Sequence, residues 1–123
     1  GMTKEKKWHE MVAKCTEKWG PVAGHPVYPI QHHHIFGRKG RARHPVTHES
    51  ILIGTWGVIA LPEYLHMGTE DPNSIAVSKK NFVKTFGKQA GLWNLQRQRI
   101  MAMDIGELPF DSDVVDAILA SGW

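Results

Sequence analysis

The residues most able to do chemistry are histidines, and they are bunched. Six of the eight fall between His25 and His48: His25, His32, His33, His34, His44 and His48; a seventh is His66. Neutral imidazole binds zinc and other transition metals, and near pH 7 it can also take a proton from water. Phosphodiester hydrolysis needs both services: a cation on the phosphate and leaving oxygen, and a base on the attacking water. Three adjacent histidines, His32, His33 and His34, are an unusual core element, because core histidines usually occur singly. If they lie on a strand, alternation puts His33 on one face and His32 with His34 on the other.

The elements that must position these groups follow from periodicity. Trp8, Met11, Val12, Cys15 and Trp19 recur at helical spacing, with Thr3 as cap and Gly20-Pro21 as stop, which predicts a helix over 4–19. That places His9 on the helix's polar, solvated side. Residues 30–36 read as a strand and 37–50 as a loop punctuated by Gly37, Gly40 and Pro45. The β-prone run 51–61 is interrupted by Gly54 and Gly57, so a hairpin or bulge is expected there. A short helical turn over 62–67 precedes the loop 68–73. Ser78 then caps a helix carrying Phe82, Val83 and Phe86, closed by Gly87. A helix over 89–103 is expected to bury Leu92, Trp93, Leu95, Ile100 and Met103. A last short helix with Val114, Val115, Ile118 and Leu119 follows Pro109 and Ser112. The order makes this an α+β chain with too few strands for a large sheet. One domain is expected over 2–123: helix and turn over 2–26, core over 27–87, accessory helices over 88–123.

Charge is divided along the chain. All 15 Lys and Arg lie at or before Arg99, whereas five of the 12 acids come after it: Asp104, Glu107, Asp111, Asp113 and Asp116. A basic body suits a polyanionic partner such as nucleic acid. A solvated basic surface with an acidic tail folded over it would give the same pattern. Cys15 is the only cysteine, which excludes an internal disulfide framework and a four-cysteine zinc site. Cys15 fits the apolar helix face as a core residue. The charged start (Lys4, Glu5, Lys6, Lys7) is unlike a secretory signal, and no apolar run approaches a membrane span, so a cytoplasmic location is the expectation. Gly37 and Gly40 make no dinucleotide or phosphate-loop fingerprint.

The order of motifs resembles the HNH, or ββα-metal, nuclease superfamily in its His-His form. The matching residues are His33-His34-Ile35-Phe36-Gly37-Arg38, a basic Gly-containing loop, Gly57-Val58-Ile59-Ala60-Leu61-Pro62 with His66 beyond, and Lys79-Lys80-Asn81-Phe82 through Phe86-Gly87. They are similar to the bacteriophage Ref type, the recombination nucleases that depend on RecA, over about residues 9–95. The resemblance implies a ββα-metal core with flanking helices and a DNA endonuclease of phage or prophage recombination or repair. It further implies a bacterial cytoplasm and a RecA–DNA filament as partner. By the same resemblance, His33 and His66 are metal ligands and His34 is the general base. Arg38, Lys39, Arg41 and Arg43 form the basic loop, and Lys79 and Lys80 start the helix facing phosphate. One divalent ion is implied, be it zinc, magnesium or manganese.

The chain departs from that family in three places. Leu65 stands where the first of a paired histidine stands, Val77 and Ser78 where a further histidine is common, and the cysteines of an amino-terminal zinc knuckle are missing. His32, His44, His48, Asp71 and Asn73 are the alternatives to complete a metal shell. Two other classes fit the same residues: a DNA-binding module of this fold without cleavage, and an accessory protein holding structural zinc. His44 and His48 read as loop residues because Pro45 breaks any helix between them.

Overall fold

The computed structural model describes residues 2–123. Helix α1 (Lys4–Trp19) starts where the Thr3 hydroxyl accepts from the Lys6 amide at 3.1 Å. Its buried stripe is Trp8, Met11, Val12 and Cys15, as the spacing predicts. Trp19 departs from that expectation, lying on the exposed side of the last turn.

Strand β1 (Ile30–His34) pairs antiparallel with β4 (Val58–Pro62), in the register His32 to Ala60, His33 to Ile59 and His34 to Val58. The expected loop over 37–50 contains a second small element. Strand β2 (Arg41–Arg43) pairs with β3 (Ser50–Leu52), so Ala42 faces Ile51. The β-prone run thus splits into β3, a 3₁₀ turn (Gly54–Gly57) and β4. Gly54 has φ +48, and a Cβ there would sit 2.7 Å from the Arg38 carbonyl oxygen, so the break belongs at a glycine.

Helix α2 (Glu63–His66) follows β4 directly and is tied to the strand by Glu63 N–H donating to the Pro29 carbonyl at 3.0 Å. Helix α3 (Lys79–Phe86) is capped by Ser78, whose hydroxyl accepts from Asn81 N–H at 3.1 Å. Helices α4 (Gln89–Ala102) and α5 (Ser112–Leu119) complete the chain. Among the described residues there are five helices and two two-stranded antiparallel sheets, an α+β arrangement.

β4 is buried along its whole length, and α1 and α4 pack on it. A two-stranded sheet leaves one edge of β4 without a strand partner. Gln96 of α4 fills that need: its Oε1 accepts from Ala60 N–H at 3.0 Å and its Nε2 donates to the Val58 carbonyl at 2.9 Å. A buried backbone edge must be satisfied somewhere, and here one side-chain amide does it. This corrects one position of the expectation for α4, because Gln96 is 1% exposed while Leu95 faces solvent; Leu92, Trp93 and Ile100 are buried as expected. One hydrophobic cluster contains side chains from every helix and from β4.

Candidate metal and phosphate site

Alternation along β1 sorts the histidines as the sequence predicts. His33 shares a face with Gln31, and that face meets α2 and the start of α4. The His33 and His66 rings lie edge to face with centroids 5.0 Å apart. His33 Nε2 hydrogen-bonds Gln89 Oε1 at 2.8 Å, and His66 Nδ1 hydrogen-bonds Gln31 Oε1 at 2.7 Å. An amide oxygen only accepts, so His33 Nε2 and His66 Nδ1 carry the protons. The unprotonated nitrogens are then His33 Nδ1 and His66 Nε2. A ring nitrogen held by an outer oxygen, with the other nitrogen's lone pair left open, is the usual outer support of a metal-binding histidine.

Burial pushes the His33 pKa from its ordinary 6.5 down to about 4; the Gln89 hydrogen bond opposes this, while His66, Lys79 and His34 add to the depression. Burial also lowers His66. Both rings are therefore neutral near pH 7, the form a metal ion requires.

His32 and His34 occupy the opposite face of β1 and meet α1. His9 Nδ1 and His32 Nδ1 lie 2.7 Å apart and share one proton, with the two rings stacked. His9 Nε2 is hydrogen-bonded to the Thr55 hydroxyl. His9 is therefore half-buried, not solvated as expected. The available signal was its place three residues before Val12, at the margin of the buried stripe. The His34 ring is 6.2 Å from His9. His34 is lowered chiefly by burial, then by the Arg38 guanidinium and His9, with a smaller contribution from His66. Its backbone hydrogen bond with His32 opposes the shift. Burial lowers His32 to about 4, and His9 and His34 push the same way.

The cations expected at phosphate are all exposed: Arg38, Lys39, Arg41, Arg43, Lys79 and Lys80. Arg38 acts on His34 and His9, and Lys79 acts on His33, so positive charge flanks the histidines on both faces of β1. Arg41 and Arg43 also brace the small hairpin. Arg41 donates to the Ser50 hydroxyl and carbonyl at 2.8 and 3.0 Å, and Arg43 to the His48 carbonyl at 2.9 Å.

Two of the residues named to complete a metal shell, Asp71 and Asn73, are engaged elsewhere. Asp71 Oδ1 accepts from Asn73 N–H at 2.8 Å, and Asn73 Oδ1 accepts from the Thr85 hydroxyl at 3.2 Å. Leu65 is in the core, and Val77 is exposed beside the Ser78 cap. Among the described residues, one group of three His, Cys, Asp or Glu side chains lies close enough to hold a metal ion: His44, Asp113 and Asp116. His44 is buried, and its Nε2 lies 3.2 Å from Asp116 Oδ2 and 3.8 Å from Asp113 Oδ1. Its Nδ1, however, accepts from the Val46 and Thr47 amides, both at 3.2 Å. The proton of a neutral ring must then sit on Nε2 and point at Asp116. This is the reverse of the arrangement at His33 and His66, and it describes a hydrogen-bonded clasp between the β2–β3 turn and α5. The sequence reading as a loop histidine missed this clasp, because its partner lies in the acidic tail.

No protein-family description matches this chain, and neither a characterised protein nor a solved structure is significantly similar to it.

Proposed function

We propose that the chain is a metal-dependent nuclease of the ββα-metal kind, with β1 and β4 as its two strands, acting on DNA. The observation that carries this reading is the His33–His66 pair, with rings 5.0 Å apart and both outer nitrogens held by glutamine oxygens. His33 Nδ1 and His66 Nε2 would hold one divalent cation. Such an ion stabilises negative charge on the phosphate and the leaving oxygen. Zinc, magnesium and manganese all serve that role in nucleases, and imidazole donors favour a transition metal. Two protein ligands leave open positions for water and phosphate, as a catalytic site needs.

His34 is the general base of this reading. Its ring leaves the other face of β1 from His33, but His34 is the strand's last residue, near enough to His66 to feel its charge, and it is neutral near pH 7, so it can take the proton of the attacking water. Arg38 stands beside it with a charge suited to the scissile phosphate. Arg38, Lys39, Arg41, Arg43, Lys79 and Lys80 supply phosphate contacts without reading bases. A RecA–DNA filament is the partner that the family resemblance suggests.

The test is cleavage and metal content measured side by side. Single-stranded and duplex DNA are incubated with the protein and magnesium, manganese or zinc. His33→Ala and His66→Ala should lose bound metal and, with it, cutting. His34→Ala should keep metal and DNA binding yet lose cutting. Failure of the wild-type protein to cut with any metal overturns the reading and leaves a DNA-binding module.

A further inference from the structure

A groove opens beside the His33–His66 pair, between the start of α3 and the segment after α5. Its volume is about 290 Å³ and its walls include Lys79, Lys80, Lys88, Val83, Gln89 and Trp123. No acidic side chain lines it among the described residues. Gln89 belongs to both places: its side chain holds His33 Nε2 and also forms part of the groove wall. One side chain thus separates the groove from His33.

Trp123 is built into this position. Gly122 has φ +83, a left-handed conformation that turns the chain back after α5. Trp123 N–H donates to the Ser121 hydroxyl at 3.3 Å, and its carbonyl accepts from Ala90 N–H at 3.1 Å. Phe36 supports the indole edge-on at 6.0 Å. The ring is still 40% exposed, and the Lys79 ammonium lies over it at 5.1 Å from the centroid. This is a cation–π contact, and it puts a positive charge beside the exposed ring. An aromatic platform ringed by lysines is the means by which proteins hold single strands: bases stack on the ring while ammonium groups track the phosphates.

We infer that Trp123 is a stacking platform for an unpaired nucleobase of a single-stranded nucleic acid. Lys79 leaves the ring for the adjacent phosphate, joined by Lys80 and Lys88. A base inside a duplex already has both faces covered, so the platform selects unpaired strands, frayed ends or displaced strands. The inference deepens the nuclease reading and rests on it, by naming the form of substrate presented to His33, His34 and His66.

The experiment measures binding with chelator present, so that cleavage plays no part. Fluorescently labelled oligothymidylate and a blunt duplex of the same length are titrated with wild type, Trp123→Phe and Trp123→Leu. Both variants keep an apolar side chain against Phe36, and thermal melting checks the fold. Trp123→Leu should bind oligothymidylate about ten- to a hundredfold more weakly, the worth of one stacked base. Trp123→Phe should stay within a few-fold of wild type, and duplex binding should change little in either. Equal oligothymidylate binding by the Leu variant and wild type overturns the inference. So does an equal loss on duplex and single strand, or no binding by wild type. Trp123-dependent binding without metal-dependent cleavage keeps the platform and discards the nuclease. Cleavage with Trp123-independent binding does the opposite.

Discussion

His34 differs from its neighbours in what surrounds it. His33 is committed to Gln89 and His66, and His32 to His9, whereas His34 keeps a ring on the open end of the strand near Arg38. General-base assistance is worth about a hundred- to ten-thousandfold in rate. The cutting rate of His34→Ala should fall by that range in single-turnover assays, with DNA affinity unchanged. The pH profile should carry the same signature. A base whose pKa lies below 6.5 is mostly deprotonated at neutral pH, so the rate should rise with pH through a midpoint below 6.5 and flatten by about pH 7.5. A midpoint above about pH 7 would assign the proton to another group.

At His44 the prediction is structural. Its Nε2 proton is used on Asp116, so zinc should leave the melting temperature unchanged in a His33→Ala/His66→Ala background. His44→Ala removes the acceptor of the Val46 and Thr47 amides, which water can replace on that exposed turn, and should destabilise by about 0.5–1.5 kcal/mol in chemical denaturation. A zinc-dependent rise in melting temperature in that background, abolished by Asp116→Asn, would instead make this group a cation site.

At the scale of elements, helices were the most legible part of the sequence. Thr3, Ser78, Gly20 and Gly87 mark helix ends by local chemistry, and the stripe Trp8, Met11, Val12, Cys15 repeats at the helical period. The strand faces were equally readable, since alternation alone separates His33 from His32 and His34. What escaped is non-local. Gln96 is polar at a buried position because β4 needs a partner there, and nothing within α4 announces that need. His9 is half-buried because Thr55 and His32 arrive from distant segments. The pairing of His33 with His66 was legible only as a motif order, and the glutamines that hold them carried no signal at all.

The basic hairpin β2–β3 can be tested as a unit. Replacing Arg38, Lys39, Arg41 and Arg43 with Ala should weaken DNA binding and flatten the slope of log affinity against log salt. Each lost phosphate contact lowers that slope by about 0.7–0.9. An unchanged slope would remove the hairpin from the interface. Because Arg41 and Arg43 also brace the hairpin, Arg38→Lys, Arg41→Lys and Arg43→Lys with Lys39 kept should preserve the slope without preserving those braces.

At the scale of the whole molecule, the histidine-rich strand makes the fold sensitive to acid. In the folded chain His32 and His33 are held down to about 4, against an ordinary 6.5. Between those values the unfolded chain takes up protons that the folded chain refuses. The stabilisation is therefore complete above about pH 6.5, is lost progressively as pH falls towards 4, and changes no further below. A tenfold difference in proton affinity is about 1.4 kcal/mol, so even part of these shifts is a large share of a small domain's stability. Chemical denaturation in metal-free buffer should show this loss, and a His32→Asn/His33→Asn variant should show a shallower one. Parallel pH dependence in the two proteins would place the acid sensitivity elsewhere. Bound metal should protect the wild type, because protons and cation compete for the same nitrogens.

The amide of Gln96 has a consequence beyond its own two hydrogen bonds. By lying against β4 as a single false peptide, it ends the sheet at two strands and denies that edge to any other polypeptide. An apolar residue of similar size at this position would leave the Ala60 amide and the Val58 carbonyl open on the most apolar strand of the chain. Recruitment of a second molecule's strand is what such an edge invites. Gln96→Leu should therefore lower the melting temperature and also make the loss depend on protein concentration, through self-association of the partly opened chain.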